Sequence, residues 1–235
     1  MERAALVTGG SSGIGRAIAR MLRDEGYALT LVSRRAEKVQ AAADELGAAA
    51  VAADVGDADE CARLVAEHRE RFGRLDVLVN SAGIGIAGTV DQLPAKHFDL
   101  QVGVNLRGLF LVTQTAIPLL RESQGLIVNL ASIAGTLPTP GLATYGATKA
   151  AVISLTKSLN EELDGDGVRA IAICPGFVDT PMAEWSGIRG DEMIQPEDCA
   201  EVVRMCLRLS PHARIPQVVI ERMGSRSGDV PLSGA

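Results

Sequence analysis

Tyr145 and Lys149 stand four residues apart in Tyr145-Gly146-Ala147-Thr148-Lys149, within a stretch of helical spacing. Positions i and i+4 share one helix face, so a phenol and an ammonium group can point into one site. A free phenol has a pKa of about 10, too high for efficient proton transfer near neutrality, and a neighbouring cation favours the phenolate. Such a pair can give a proton to a carbonyl oxygen or take one from an alcohol. Ser132 ends the run Asn129-Leu130-Ala131-Ser132, and its hydroxyl can hydrogen-bond the same oxygen. Each residue also has an ordinary use: a core Tyr, a surface Lys, a Ser that ends a strand.

The first apolar run, Ala4–Thr8, leads into Thr8-Gly9-Gly10-Ser11-Ser12-Gly13-Ile14-Gly15 and then at once into helical spacing. A strand, a glycine turn and a helix N-terminus suit the pyrophosphate of a dinucleotide. Glycines let the backbone come close, and the free amides of Gly9, Ser11, Ser12, Gly13, Ile14 and Gly15 with the helix dipole attract the charge. Gly9, Ser11 and Gly13 also match Gly-x-Ser-x-Gly, the nucleophile elbow of a hydrolase, and Asp198 and His212 follow in triad order. An elbow on the first strand has no earlier strand to supply a second oxyanion amide. It also leaves Tyr145 and Lys149 unexplained, so the dinucleotide reading is preferred.

The second apolar run ends in Ser33-Arg34-Arg35. Folds that bind NAD place Asp or Glu here to accept from the ribose hydroxyls, whereas guanidinium groups pair with a 2′-phosphate. The position favours NADP(H), with NAD(H) as the alternative; the ordinary reading is a solvated basic turn.

These residues need a frame. Short apolar runs at Ala4–Thr8, Ala28–Ser33, Ala49–Ala53, Leu75–Asn80, Gly125–Ala131, Val168–Cys174 and Gln217–Glu221 read as strands buried on both faces. Between them, helical spacing covers Ile14–Glu25, Ala36–Leu46, Asp59–Phe72, about Phe98–Leu120, Ala143–Leu163 and Pro196–Leu209. The alternation predicts a single α/β domain, a Rossmann-type doubly wound parallel sheet of about seven strands with helices on both faces. The chemical groups then fall just after strands, where open α/β sheets bind ligands. With 235 residues, 47% hydrophobic and 22% charged, the chain can bury a large core.

Composition also excludes. A net charge of −6 and 3% aromatics argue against a nucleic-acid or membrane-surface partner. The four cysteines form no CxxC pair and the three histidines no HxxxH pattern, so no metal site and a reduced, cytoplasmic setting are expected. No apolar run reaches the ~18 residues of a membrane span, and the start, Met1-Glu2-Arg3-Ala4, runs straight into a strand, leaving no room for a signal peptide. The segment 181–195 carries the single Trp with Met182 and Met193, and reads either as a substrate lid or as a covering loop. With Ile84, Ile133, Ala134, Leu142 and Phe177 as further lining, it suggests a hydrophobic or small neutral carbonyl compound over a polyanion. The Gly-, Ser- and Pro-rich tail 224–235 is expected to be loosely ordered.

Taken together the motifs resemble the short-chain dehydrogenase/reductase family over about residues 4–221. Thr8–Gly15 is similar to its TGxxxGxG loop. Asp54-Val55 resembles the pair that holds the adenine ring, and Asn80-Ser81-Ala82-Gly83 its NNAG segment with Ser for the second Asn. Asn105, Ser132, Tyr145 and Lys149 fall where its catalytic tetrad is expected, and Pro175-Gly176 with Val178 and Thr180 resembles the segment bordering the nicotinamide. The resemblance implies hydride transfer between the nicotinamide and a carbonyl or alcohol, with Tyr145 as acid and base. It gives Asn105 a water that links Lys149 to solvent. It also implies a homodimer or homotetramer. A non-catalytic dinucleotide sensor on the same fold is the alternative, but a sensor needs no proton donor. The ending Arg222-Met223-Gly224 and Ala131 before Ser132 depart from the family's usual pattern.

Overall fold

A computed structural model describes residues 2–224; the rest of the tail singled out above lies outside the described residues. Seven strands form one parallel sheet in the order β3-β2-β1-β4-β5-β6-β7. They are β1 (Ala4–Thr8), β2 (Ala28–Ser33), β3 (Ala49–Ala52), β4 (Val77–Asn80), β5 (Leu126–Leu130), β6 (Arg169–Pro175) and β7 (Gln217–Ile220). The strand direction of the order reverses beside β1, which pairs with both β2 and β4 and so opens a crevice at its carboxyl end. The doubly wound α/β architecture is the one expected from the alternation of apolar runs.

Seven α-helices cover the two faces: α1 (Gly13–Asp24), α2 (Ala36–Leu46), α3 (Ala58–Phe72), α4 (Ala95–Val102), α5 (Leu109–Ser123), α6 (Ala143–Glu162) and α7 (Pro196–Leu207). One core joins Ile18, Leu22, Val39 and Val203 of α1, α2 and α7 to Val7, Leu31 and Ile173 of the sheet. On the other face Leu64, Val112, Ala116 and Leu159 of α3, α5 and α6 meet Leu6, Leu78 and Ile127. Successive strand residues point to opposite faces, so runs apolar at nearly every position are what two covered faces require, and the buried polar exceptions Thr30, Asn80 and Asn129 are hydrogen-bonded. Gly47 (φ 62°) and Gly73 (φ 64°) end α2 and α3 in the left-handed conformation that glycine adopts without a Cβ penalty.

The long helix expected near Phe98–Leu120 is not continuous in type. A π-helical segment, Gly103–Gly108, separates α4 from α5. The widened turn coincides with inward hydrogen bonds from Asn105, and π-bulges of this kind occur frequently at functional sites. Gly108 lets the helix lie flush on the loop after β3, since a Cβ there would stand 2.5 Å from the Val55 carbonyl oxygen. The stretch Ala95–Ser123 has 29 residues and a mean hydropathy of 1.2 in its most apolar window, enough by length and composition to cross a membrane. That corrects the reading that no run reaches this threshold. Val104, Leu109, Val112, Ala116, Leu119 and Leu120 are nonetheless packed inside the domain, while Phe98, Leu100 and Phe110 are exposed.

Candidate active site

The carboxyl ends of the strands frame a cleft of about 550 Å³, reached by Ile14, Ser81, Gly83, Ser132, Tyr145, Lys149, Pro175, Gly176, Val178 and Thr180. Three separately folded segments bring these groups together.

The first is the glycine turn. Gly9 (φ 66°) and Gly13 (φ 52°) adopt left-handed backbone. A Cβ on Gly9 would stand 2.8 Å from the Ala82 nitrogen, and one on Gly15 would stand 2.5 Å from the Gly9 carbonyl oxygen. These two glycines therefore serve the close approach of the protein to itself. The sequence argument had assigned them to the approach of a pyrophosphate. Ser12 caps α1 without a side-chain hydrogen bond, and no acidic residue lies in the first turn. The leading amides of α1 are thus left for an anion, which fits the phosphate reading. Thr180 closes over the turn: a Cβ on Gly13 would lie 3.0 Å from its methyl carbon. Ser33 is partly buried, and Arg34 and Arg35 are exposed beyond β2. Neither guanidinium makes an ion pair among the described residues.

The second segment follows β4. Thr8 Oγ1 accepts from the backbone of Ser81 and Ala82, each at 3.2 Å, and so ties β1 to this turn. Asn80 does not reach the cleft with its side chain. Its amide is buried and donates to Thr113 and to Asn129, both at 2.9 Å. Its register opposite Asn129 directs it into the layer between sheet and helices, so Ser81 and Gly83 present this segment to the cleft. After β3, Asp54 accepts from the Gly56 amide at 2.9 Å and is exposed, whereas Val55 is buried.

The third segment carries the proton chemistry. Ser132 opens a short 3-10 turn, Ile133–Gly135, and caps it by accepting from the Ala134 amide at 3.2 Å. The start of α6 lies hard against this turn. A Cβ on Gly135 would stand 2.7 Å from the Ala150 nitrogen, and one on Gly146 would stand 2.7 Å from the Ala134 oxygen. Those two glycines bring Ser132 to Tyr145, and sequence reasoning missed them because the chains they bring together are apart in sequence. Burial raises the Tyr145 phenol above its ordinary range, and a hydrogen bond with Ser132 works the other way. Lys149 is buried and donates to the Leu130 carbonyl at 2.7 Å. Its Nζ lies 5.6 Å from the Tyr145 ring centre. Burial brings its pKa down to about 8. The lowering of the phenol expected from Lys149 is not found: burial raises it, and the group that works the other way is Ser132.

Asn105 is buried and does not itself line the cleft. Its Oδ1 accepts from the Ile84 amide at 2.8 Å, and its Nδ2 donates to the Ile84 carbonyl at 2.9 Å and to Thr148 Oγ1 at 3.2 Å. Four residues earlier, fully buried Gln101 accepts from the Ile86 amide at 3.1 Å. The two amides fix the loop 84–86 beside Tyr145, since a Cβ on Gly85 would make ordinary contact with the phenol ring at 3.8 Å. Nothing in the sequence separates Gln101 from a surface glutamine. The serine of the hydrolase reading, Ser11, sits in the glycine turn, and both Asp198 and His212 are exposed. Asp198 is committed to the cap of α7, where it accepts from the Gln195 amide at 2.9 Å.

Known proteins resemble this chain in sequence and in fold. The model of the short chain dehydrogenase family matches residues 3–187. An uncharacterized oxidoreductase of Staphylococcus epidermidis is 38% identical over 225 residues, covering 93% of this chain and 96% of that protein. One from Staphylococcus aureus is 34% identical over 223 residues with the same coverage. An alcohol dehydrogenase from the archaeon Thermococcus sibiricus, solved with 5-hydroxy-NADP, superposes with a TM-score of 0.88 at 30% identity, covering 95% of this chain and 98% of that one. A 3-ketoacyl-(acyl-carrier-protein) reductase from Brucella melitensis, solved with NADH, gives 0.85 at 30% identity, covering 93% and 96%. The chain belongs to the short-chain dehydrogenase/reductase family, and it is an oxidoreductase of that family.

Proposed function

We propose that the protein interconverts a carbonyl compound and an alcohol using NADP(H), with Tyr145 as the acid and base. The observation that carries this reading is the convergence of Tyr145, Ser132 and Lys149 on one cleft beside the amides of the glycine turn. When bound, the nicotinamide ring supplies or takes the hydride. The chain's own groups do the rest. Ser132 orients the substrate oxygen and steadies the charge that develops on it. In reduction the Tyr145 hydroxyl gives its proton to that oxygen, and in oxidation the phenolate takes one back. Lys149 stays cationic at neutral pH, because its pKa of about 8 lies above it, and it stabilises the phenolate as it forms. A dinucleotide sensor would need none of these three side chains.

The preference for NADP(H) rests on Arg34 and Arg35 after β2, with no carboxylate among Ser33, Arg34 and Arg35 to repel a 2′-phosphate. The related structures were solved with an NADP derivative in one case and NADH in the other, so the argument stays with these side chains. The test is loss of NADPH absorbance across a panel of aldehydes and ketones, run beside NADH. Turnover with NADPH and little with NADH is the expected result; equal use of both removes the preference, and no turnover with either removes the reaction.

A further inference from the structure

Beyond the reacting trio the cleft is walled by side chains that ordinarily avoid water. Leu137, Met182 and Trp185 are each nearly half exposed, and all three face this one space. The segment 181–195 is stapled at its feet: the Asp179 amide donates to the Ile194 carbonyl at 2.9 Å, and the Ile194 amide to the Phe177 carbonyl at 3.0 Å. Between these feet Met182, Ala183 and Trp185 line the cleft, whereas Glu184, Arg189, Asp191 and Glu192 do not. The Trp185 indole stands edge-on to Phe177, with centroids 5.9 Å and planes 69° apart. Their edge-to-face contact makes an apolar corner of the cleft. The charged groups of the cleft among the described residues are Lys149, which serves the phenol, and the neighbours Glu221 and Arg222 at one edge. Those two oppose in sign, and Arg222 is already engaged within the protein.

We propose that the cleft takes an uncharged ketone or aldehyde bearing a ring-sized apolar group, seated in the Phe177–Trp185 corner, and rejects anionic carbonyl compounds of the same shape. This rests on the carbonyl–alcohol reading above and narrows its substrate. The carbonyl meets Ser132 and Tyr145 while the ring displaces water from Met182, Leu137 and Trp185. A carboxylate on that ring would lose its hydration with no partner in the corner.

Trp185 is the chain's single tryptophan, so its emission reports occupancy of the corner without any turnover. With NADP⁺ present, the non-reducible amide cyclohexanecarboxamide is expected to change that emission saturably, and cyclohexanecarboxylate to bind at least about 30-fold more weakly. In turnover with NADPH, cyclohexanone is expected to exceed 4-oxocyclohexanecarboxylate about 100-fold in kcat/KM. Trp185→Ala should raise the KM for cyclohexanone about tenfold with little change in kcat, the pattern of lost uniform binding. Glu184→Gln, one residue away and outside the lining, should change neither. Equal binding or turnover of the carboxylates, or an unchanged KM in Trp185→Ala, overturns the proposal. If the emission discriminates amide from carboxylate yet neither ketone is reduced, the recognition stands and the reaction assigned above falls.

Discussion

The wall proposed to hold the cofactor, Thr8–Gly15 with Ser81–Gly83 and called the cofactor wall below, is backbone set against backbone; the opposite wall, Leu137–Leu142 with Phe177–Trp185, is side chain set against open space. In the first, a single added methyl would overlap main-chain atoms at Gly9 or Gly15, and Thr8 bonds two amides of the neighbouring turn. In the second, Leu137, Met182 and Trp185 are exposed apolar groups, the last two on the short 3-10 turn Pro181–Ser186, with Trp185 and Phe177 in edge-to-face contact. A diphosphate has one shape and one charge, and binding it takes amides that cannot move. An apolar substrate asks only for volume, which loops on a rigid sheet can reshape without touching the fold. Ser132, Tyr145 and Lys149 lie between the walls, placed by the tight contact of Gly135 and Gly146 with their neighbours.

The largest effect separates chemistry from both walls. Tyr145→Phe removes the proton donor and keeps the ring that packs beside Gly85. Turnover is expected to fall about 10³-fold or more, with the NADPH dissociation constant within about twofold of the parent. A titration of cofactor fluorescence alongside steady-state rates checks this; a large loss of cofactor affinity would instead make Tyr145 part of the cofactor wall.

The second effect tests the packing of α3 on the sheet, at Thr30 of β2, which pairs with Leu6 of β1. His68 on α3 is fully buried, with Nδ1 2.8 Å from Thr30 Oγ1 on β2 and Nε2 2.9 Å from the Arg74 carbonyl. Nε2 therefore donates to Arg74 and Nδ1 accepts from Thr30. Burial drives its pKa down to about 4. The folded pKa lies below the ordinary value of about 6.5, so the stabilisation is full above pH 6.5 and lost as pH falls towards 4. The whole span corresponds to roughly 3 kcal/mol. Urea unfolding at steps between pH 7 and 4.5 should show stability falling, and His68→Gln should remove about one proton from the slope. An unaltered slope would mean that the protonated ring is tolerated where it is.

Much of this was legible in the sequence because the signals were local. Ala4–Thr8 and Ala28–Ser33 read as strands since burial on both faces keeps them almost wholly apolar; the polar residue inside β2, Thr30, is satisfied by His68. Tyr145 and Lys149 share a helix face by spacing alone, and the glycine turn announced itself between a strand and a helix. What the sequence did not disclose depended on partners distant along the chain. The π-helical turn at Gly103–Gly108 accompanies bonds from Asn105 to Ile84 and Thr148. Asn80 looked like a cleft residue, yet its position opposite Asn129 turns its amide inward. Gly135 and Gly146 look like unremarkable small residues until α6 is docked on the Ser132 turn.

The next effect probes the hinge between the walls. Gly146→Ala places a methyl 2.7 Å from the Ala134 carbonyl oxygen, a backbone atom that cannot swing aside. The overlap is expected to cost about 1–3 kcal/mol of stability and to lower turnover by displacing Tyr145 from Ser132. Gly165→Ala, with open space around its Cβ, is the control and should be silent in both thermal unfolding and rate. A Gly146→Ala protein as active and as stable as the parent would show that the turn yields freely.

The smallest effect lies at the outer end of the cofactor wall. Arg34 is exposed, so the pairing with a 2′-phosphate proposed for it would form in water and be worth less than a buried pair of the same geometry. Arg34→Ala is expected to raise the KM for NADPH about tenfold and to leave that for NADH nearly unchanged, because only the first carries the extra phosphate. Arg35 stands next to it and retains part of the attraction, which keeps the loss from being larger. Screening supplies a second handle: raising ionic strength from about 0.01 M to 0.15 M shortens the Debye length from about 30 Å to 8 Å, so the parent's preference for NADPH should shrink with salt. In Arg34→Ala the preference should start lower and respond less. An equal loss for both cofactors would place Arg34 on the shared adenosine instead of the phosphate, and would shift the discrimination between the two dinucleotides to Ser33 or Arg35.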